Sequence, residues 1–393
     1  MYKKELIIPE EEINNRIKKL QKLMDLNGID YCFILQNADI FYFSGIIQQG
    51  FILIPKNNDP IYFVRRNVEL AKKYSPLTIE KLKSNKQLLQ YIDDNAVIGM
   101  ELDIVPFQIA RNYEKLFEKI NGKITDCSNL IKEIRQIKSE IEINFIRKAG
   151  LIIKNVFMEL KDFISAGKTE YELFCFAQNI AMKNFHQGFM RMRGFNQEMF
   201  FGHILSGESG VTFGYPNAPT SGFGIYPSFP QGSGLRKIKN GELVSVDLVG
   251  CYNGYHCDQT RPFSVGIIKR GYHENFQKVK KIIESLEDFI KPGTLWEEAY
   301  LKAIELAKKL GVEENFMGYK DDKVKFIGHG VGIEVDEPPF LAPNFKKEFK
   351  ENMTLAIEPK LFFPELGVIG IENTYVVTKD GLEKLIPCEN KIF

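Results

Sequence analysis

The chain has 393 residues, 44% of them hydrophobic, which is enough for two domains of ordinary size with substantial cores. Its 52 Lys and Arg residues nearly balance 51 Asp and Glu residues, so we expect no attraction to nucleic acid or to an anionic membrane surface. No apolar run reaches the roughly 18 residues that would predict a membrane span. The six cysteines are scattered, without the paired spacing of a zinc site, and they favour a reduced, cytoplasmic setting.

The first 130 residues predict an α/β domain. An apolar helical period runs through residues 10–27 and stops at Gly28. The segments that follow alternate between strands and helices, a pattern typical of an open α/β layer. No glycine-rich fingerprint for a nucleotide occurs among them. Predicted strands lie at residues 31–35, 50–55, 61–64 and 96–100, and predicted helices at 67–74 and 107–121.

Residues 131–393 predict a second domain of mixed helices and strands. It opens with long helices at 140–163 and 170–184, the second announced by a capping box that begins at Thr169. A segment rich in glycine, proline and serine follows at 202–234. The remaining predicted helices lie at residues 274–290 and 295–310, and the remaining predicted strands at 243–249, 255–265, 324–334, 353–363 and 368–378.

One sequence repeat divides this second domain. Residues 160–167 read Leu-Lys-Asp-Phe-Ile-Ser-Ala-Gly, and residues 286–293 read Leu-Glu-Asp-Phe-Ile-Lys-Pro-Gly. Each copy joins two predicted helices through a glycine turn and leads towards strands. A duplicated helix–helix–sheet unit would explain the match and would place a site where the two halves meet. Chance similarity between amphipathic helices is the alternative.

The first candidate site residues are Asp247 and Asp258, on two strands that an Asn-Gly loop at 253–254 predicts to be a hairpin. In that register Asp247 pairs with Thr260 and Val249 pairs with Asp258. The two carboxylates then lie diagonally adjacent on one face, close enough to bridge two metal ions. The alternative is an exposed hairpin with two solvated aspartates. Against it, Asp247 interrupts an apolar run, and a buried charge is costly unless it is paired or bound to metal.

A second predicted hairpin carries Glu358 and Glu372 and turns near residues 364–367. Facing glutamates repel each other unless a cation lies between them; an edge hairpin with loose register is the alternative. His329, between two glycines, would add an imidazole ligand. Four carboxylates and one imidazole are a suitable ligand set for a pair of divalent cations.

The segments around these five residues resemble the pita-bread metallopeptidases, which include Xaa-Pro aminopeptidases, prolidases and methionine aminopeptidases. The N-terminal third resembles the creatinase-type domain that precedes the catalytic domain in the Xaa-Pro enzymes. The resemblance implies an α/β N-terminal domain at 1–130 followed by an α+β pita-bread catalytic domain at 131–393. The matching segments are VDLVG at 246–250, GYHCDQTR at 254–261, GHGVG at 328–332, IEP at 357–359 and IE at 371–372.

The resemblance also implies a mechanism and its cofactors. Two divalent ions (manganese, cobalt, zinc or iron) would share Asp258 and Glu372 as bridging ligands. Asp247 would hold one ion, while His329 and Glu358 would hold the other. A water between the ions would attack the scissile carbonyl, with Glu358 as the proton-handling residue. The expected substrate is a short peptide, and the expected assembly is a homodimer.

Three positions depart from the family pattern near the substrate. Asp336 stands where these peptidases carry a second His, seven residues after His329, that contacts the substrate carbonyl. These peptidases usually carry another His in the glycine-rich segment, and no His stands at the matching position here. Tyr215 is the candidate to replace it, and His203 is the alternative. Gly370 stands where the Xaa-Pro enzymes commonly carry an Arg. These departures bear on the substrate more than on the metal centre.

We therefore predict metal-dependent hydrolysis of short peptides, with X-Pro bonds preferred, by an Xaa-Pro aminopeptidase or dipeptidase. One alternative is a hydrolase or lyase that acts on a small molecule with the same fold, motivated by the departures near the substrate. Another is a non-catalytic peptide-binding relative. The intact ligand set counts against the latter.

Overall fold

A computed structural model of the protein describes residues 2–216 and 218–393. The chain divides into two compact units. The first comprises the chain up to Arg135 together with Gly194–Asn196, and the second comprises Gln136–Arg193 and Gln197–Phe393. No helix in the described ranges is both long and apolar enough to cross a membrane.

The first unit is built on a six-stranded sheet. Its strands are β1 (Tyr31–Ile34), β2 (Gly50–Pro55), β3 (Ile61–Val64), β4 (Thr78–Lys81), β5 (Val97–Met100) and β6 (Lys123–Asp126). Its helices are α1 (Glu10–Leu26), α2 (Asn37–Ser44), α3 (Val68–Tyr74), α4 (Phe107–Phe117) and α5 (Ser128–Gln136). The strand order is β4-β3-β2-β1-β5-β6, and aromatic side chains such as Phe33, Phe51 and Phe63 fill the core on one face.

The predicted α/β layer is confirmed, but its two edge strands were not predicted. Strands β4 and β6 are short, and none of their residues is buried. Their sequences, Thr-Ile-Glu-Lys and Lys-Ile-Thr-Asp, therefore carry no apolar run that periodicity could detect. Charged residues on edge strands are common because they discourage pairing with another chain.

The second unit contains four long helices and twelve strands among its described residues. The helices are α6 (Glu140–Phe163), α7 (Glu170–Lys183), α8 (Arg270–Phe289) and α9 (Trp296–Lys309). The strands are β7 (Gly202–Ser206), β8 (Leu243–Tyr252), β9 (Tyr255–Ser264), β10 (Gly318–Tyr319), β11 (Asp322–Lys323), β12 (Gly328–Val331), β13 (Val335–Phe340), β14 (Thr354–Ile357), β15 (Lys360–Phe363), β16 (Gly367–Gly370), β17 (Asn373–Thr378) and β18 (Gly381–Lys384). They form sheets of order β7-β8-β9 and β13-β12-β14-β17-β18, with β15-β16 and β10-β11 as separate pairs.

The sequence repeat has the same local structure in both copies. Gly167 and Gly293 turn the chain with φ of 89° and 91°, a conformation that favours glycine. Glu172 accepts a hydrogen bond from the backbone N–H three residues earlier at the start of α7, and Glu298 does the same at the start of α9. Each copy is a pair of helices followed by strands. The second unit therefore consists of two related helix–helix–sheet halves.

The predicted β8–β9 hairpin has the expected register. Asp247 pairs with Thr260, and Val249 pairs with Asp258. The loop residues Asn253 and Gly254 have φ of 50° and 83°, as the two-residue Asn-Gly turn requires.

The second predicted hairpin is divided between two sheets. The prediction of continuous strands at 353–363 and 368–378 is wrong, because the hairpin breaks where its strands leave the five-stranded sheet. On one side of the break Ile357 pairs with Asn373, and on the other Lys360 pairs with Gly370. Both pairs belong to one register, in which Glu358 stands opposite Glu372. The break therefore lies at the two glutamates.

Candidate metal centre

The five predicted ligands lie on separate segments of the second unit and converge between its two larger sheets. Thr374 Oγ1 donates to the carbonyl of Asp258 at 2.8 Å and accepts from the Asp258 N–H at 3.0 Å. The N–H of Glu372 donates to the carbonyl of Thr260 at 3.1 Å. These bonds join β9 to the start of β17. The ligand positions are Asp247 on β8, Asp258 on β9, His329 on β12, Glu358 after β14 and Glu372 before β17.

Three of these residues form a compact buried group that fits a divalent ion. Asp258, His329 and Glu372 each offer one ligand atom, and the three atoms lie within 4.8 Å of one another. Asp258 Oδ1 and Glu372 Oε1 are buried and have no hydrogen-bond partner within the described ranges. Buried oxygens of this kind are rare unless an ion or water satisfies them. Two carboxylates and an imidazole suit several divalent metals.

Glycines on both sides of His329 allow neighbouring strands to approach its backbone. A Cβ at Gly328 would collide with the carbonyl of Ala356 on β14, and one at Gly330 would collide with the carbonyl of Glu337 on β13. The Gly-His-Gly segment is therefore a packing requirement of β12, which lies between β13 and β14. It holds the imidazole between two partner strands.

Asp336 lies behind the imidazole of His329. Its Oδ1 is 3.2 Å from His329 Nδ1, and the carbonyl of Gly330 is also 3.2 Å from that nitrogen. His329 Nε2 points the other way and lies 3.8 Å from Glu358 Oε1 and 4.0 Å from Glu372 Oε1. Burial disfavours the charged imidazole, but the three carboxylates together raise the pKa of His329. A carboxylate behind a ligand histidine fixes the ring and its tautomer.

A lysine that sequence reasoning missed lies within the ligand cluster. The Lys360 ammonium donates to Glu358 Oε2 at 2.6 Å and to Asp247 Oδ2 at 2.9 Å, and it lies 3.6 Å from Glu372 Oε2. Only 1% of its side chain is exposed. A signal was available, because residues two apart on a strand share a face and Lys360 follows Glu358 by two.

The pKa values of Asp258 and Glu372 are raised, whereas the pKa of Asp247 is lowered. Burial raises the pKa of Asp258 well above its ordinary value, and the charges of Glu372 and Asp247 add to the rise. Burial also raises the pKa of Glu372, to about 8, although Lys360 opposes the shift. Burial opposes ionisation of Asp247 too, yet the Lys360 ammonium brings its pKa below the ordinary value. The Lys360 ammonium thus compensates Asp247 more fully than Asp258 and Glu372, and a divalent ion would supply the charge that these two carboxylates still need.

Arg261, at the end of the Gly-Tyr-His-Cys-Asp-Gln-Thr-Arg segment, fixes the backbone beside the cluster. Its guanidinium is fully buried and donates to the carbonyls of Thr260 and Glu372 at 2.8 and 2.7 Å. It also donates to Asn373 Oδ1 at 2.5 Å. Arg261 therefore holds the backbone of one ligand against the strand that carries another.

The three candidate substrate residues, His203, Tyr215 and Asp336, differ in burial and in their contacts. His203 pairs with Asp247 across β7 and β8, and its Nε2 is buried without a partner in the described part of the chain. Burial lowers the pKa of His203 to about 4, although Asp247 acts in the opposite direction. The ring is therefore neutral near pH 7. Tyr215 is 51% exposed, and its hydroxyl contacts Glu198 and Gln231. Asp336, the third candidate, lies against His329 as described above.

The chain is similar to known metallopeptidases over most of its length. The model of metallopeptidase family M24 matches residues 144–379, and that of the creatinase/prolidase N-terminal domain matches residues 16–137. An Xaa-Pro dipeptidase of Pyrococcus furiosus is 28% identical over 97% of this chain and 100% of its own length. An uncharacterized peptidase of Methanocaldococcus jannaschii is 29% identical over 96% of each chain.

Solved structures agree with this assignment. The crystal structure of the prolidase from Pyrococcus horikoshii has a TM-score of 0.80 and 27% identity, and the similarity covers 97% of this chain and 100% of the prolidase. All five candidate ligands lie within the residues that the M24 model matches. The chain therefore belongs to metallopeptidase family M24, and its pita-bread catalytic domain follows a creatinase-type α/β domain.

Proposed function

We propose that this chain hydrolyses short peptides in a metal-dependent reaction and prefers X-Pro bonds. The observation that carries the proposal is the buried group of Asp258, His329 and Glu372, with its two unsatisfied carboxylate oxygens. The preference for X-Pro bonds draws on the relatives named as Xaa-Pro dipeptidase and prolidase. Because these relatives are named as peptidases, peptide hydrolysis fits better than a small-molecule reaction or a purely binding role.

The protein's own side chains would bind the ion and move the proton. A divalent ion at the buried group would polarise the scissile carbonyl and acidify a water. Glu358 is the proposed proton-handling residue, because its Oε1 faces His329 while Lys360 holds its Oε2. Thr260 donates to Glu372 Oε2 at 2.7 Å, so that Oε1 is left for the ion.

For the substrate, the geometry favours His203 over the other candidates. A neutral imidazole with an unsatisfied Nε2 beside Asp247 can donate to or accept from a peptide group. We assign Asp336 to the orientation of His329, since the two side chains are in contact. Tyr215 remains a candidate on an exposed loop, where a longer peptide would meet it.

The remaining assignments follow from the family resemblance. We propose manganese, cobalt, zinc or iron as the metal, held within the cluster of Asp247, Asp258, His329, Glu358 and Glu372, together with a homodimeric assembly and a cytoplasmic location. An oxygen-rich set with one imidazole is compatible with each of these metals. Light scattering of the purified protein would give its oligomeric state.

A metal-dependence assay tests the function. Protein stripped by a chelator should be inactive on X-Pro dipeptides and tripeptides and should regain activity with manganese or cobalt. Matched X-Ala peptides control for the proline preference, and comparison of the two lengths separates a dipeptidase from an aminopeptidase. Asp258→Asn should abolish activity, while the exposed control Asp322→Asn should not. A protein that binds no metal and stays inert after metal is added would rule the function out.

A further inference from the structure

Lys360 places a protein cation inside a centre that the family resemblance assigns to two metal ions. Its ammonium is in hydrogen-bond contact with one ligand assigned to each ion, Asp247 and Glu358. The side chain is 1% exposed, so solvent does not screen the charge. A buried ammonium requires this kind of pairing with carboxylates.

The oxygens of the cluster differ in whether they already have a partner. Asp247 Oδ2 and Glu358 Oε2 accept from Lys360. Asp258 Oδ1 and Glu372 Oε1 have no partner in the part of the chain that is described. The compact three-residue group includes the latter two residues, while Asp247 lies outside it. The oxygens without a partner therefore mark one position for a cation, and the Lys360 ammonium occupies the region beside Asp247.

Packing holds the lysine side chain in this position. Lys360 pairs with Gly370 across β15 and β16. A Cβ at Gly370 would lie 2.5 Å from Lys360 Cγ, so the glycine provides the space that the lysine stem occupies. The backbone is fixed as well, because the N–H of Met317 donates to the carbonyl of Lys360 at 3.0 Å. The ammonium therefore reaches the cluster from a strand that leaves its stem little freedom.

We propose that the Lys360 ammonium takes the place of one metal ion, so that the centre holds a single divalent ion at Asp258, His329 and Glu372. An ion bound by Asp247 would lie about 2.0–2.2 Å from a carboxylate oxygen, and the ammonium lies 2.9 Å from one of these oxygens. Two cations crowded onto one carboxylate repel each other strongly in a buried site. The lysine supplies charge and holds Asp247 and Glu358, but it cannot act as a Lewis acid.

This inference rests on the proposed metal-dependent function and is tested by metal content. The full-length protein is loaded with excess Mn²⁺, passed through a desalting column and analysed for manganese and protein. We expect one ion per chain in the wild type and a twofold rise, to two, in Lys360→Met. Lys309→Met, at an exposed helix position, is the matched control and should bind one ion.

A spectroscopic readout makes the test independent of activity. Electron paramagnetic resonance of the loaded wild type should show isolated Mn²⁺, whereas Lys360→Met should show the exchange coupling of two ions about 3.5–4 Å apart. Two coupled ions in the wild type would overturn the inference and leave the proposed function intact. One ion in a folded Lys360→Met protein would also overturn it. No bound ion in the wild type would refute the proposed function itself.

Discussion

Replacement of Asp336 by Asn should weaken metal binding about tenfold. The carboxylate lies 3.2 Å from His329 Nδ1, on the side of the ring opposite the cluster. Loss of such a partner typically lowers metal affinity 10- to 100-fold. The lower end applies here for two reasons. The carbonyl of Gly330 remains as an acceptor at 3.2 Å, and 33% of the Asp336 side chain is exposed, so its charge is partly screened. Tenfold corresponds to about 1.4 kcal/mol.

Asn is the appropriate replacement because Asp336 has a φ of 61°. Asn tolerates this left-handed conformation, whereas Ala would add backbone strain of about 1–2 kcal/mol. The assay is titration of the metal-free protein with Mn²⁺, by calorimetry or by competition with a chelator. Asn344→Asp, another left-handed position on the surface of the second unit, controls for an unrelated change of charge.

The result separates two roles for Asp336. If Asp336 orients the ligand, Mn²⁺ affinity should fall while kcat of the saturated enzyme changes little. Unchanged metal affinity together with a large fall in kcat would refute this reasoning. It would place the side chain at the substrate carbonyl, as the family position suggests.

Three further predictions concern the same cluster. Thr260→Val removes the hydroxyl that donates to Glu372 Oε2 and should lower the free energy of unfolding of the metal-free protein by about 0.5–1.5 kcal/mol, measured by urea titration. Gly370→Ala should displace the Lys360 stem and destabilise the fold by about 1–3 kcal/mol, measured by the same titration; a stability equal to wild type would contradict the packing. Finally, the pKa of Glu372 is about 8, above its ordinary 4.5. Ionisation of this buried carboxyl therefore lowers the free energy of unfolding of the metal-free protein as the pH rises from about 4.5 through about 8. Since metal binds the ionised form, the increase in Tm on adding Mn²⁺ should grow between about pH 5 and 8.5, and a pH-independent increase would contradict the assignment.

The parts of the centre that could be predicted are those whose geometry follows from the sequence of a single hairpin. The Asn-Gly loop determines the β8–β9 register, and from that register the adjacency of Asp247 and Asp258 follows. The opposition of Glu358 and Glu372 could also be inferred, because both hairpin segments keep one register through the break. The break itself could not, since it depends on how two sheets separate.

The contacts of Lys360 and Asp336 could not be predicted from the sequence of a single hairpin. Asp336 contacts His329 on another strand, and Lys360 contacts Asp247 on another strand as well as Glu358 nearby. Periodicity does not report the contacts between strands. Asp336 was interpreted from its family position as a substrate residue, yet its side chain lies against His329. A lysine in a strand is ordinarily assigned to solvent, although its spacing of two residues from Glu358 would place Lys360 on the same face as that ligand. Its burial depends on Gly370, on the opposite strand.

The pairing of Lys360 with Gly370 has a consequence for how the two residues could have been acquired. A lysine at this position needs the glycine opposite to it, whereas the glycine alone is tolerable. We therefore expect glycine to have been acquired before the lysine. Among homologous chains, those with lysine at the position of Lys360 should carry glycine opposite, and chains with a larger residue there should lack the lysine. Such a linked pair would mark a distinct lineage within the family and could be sought in sequence alone.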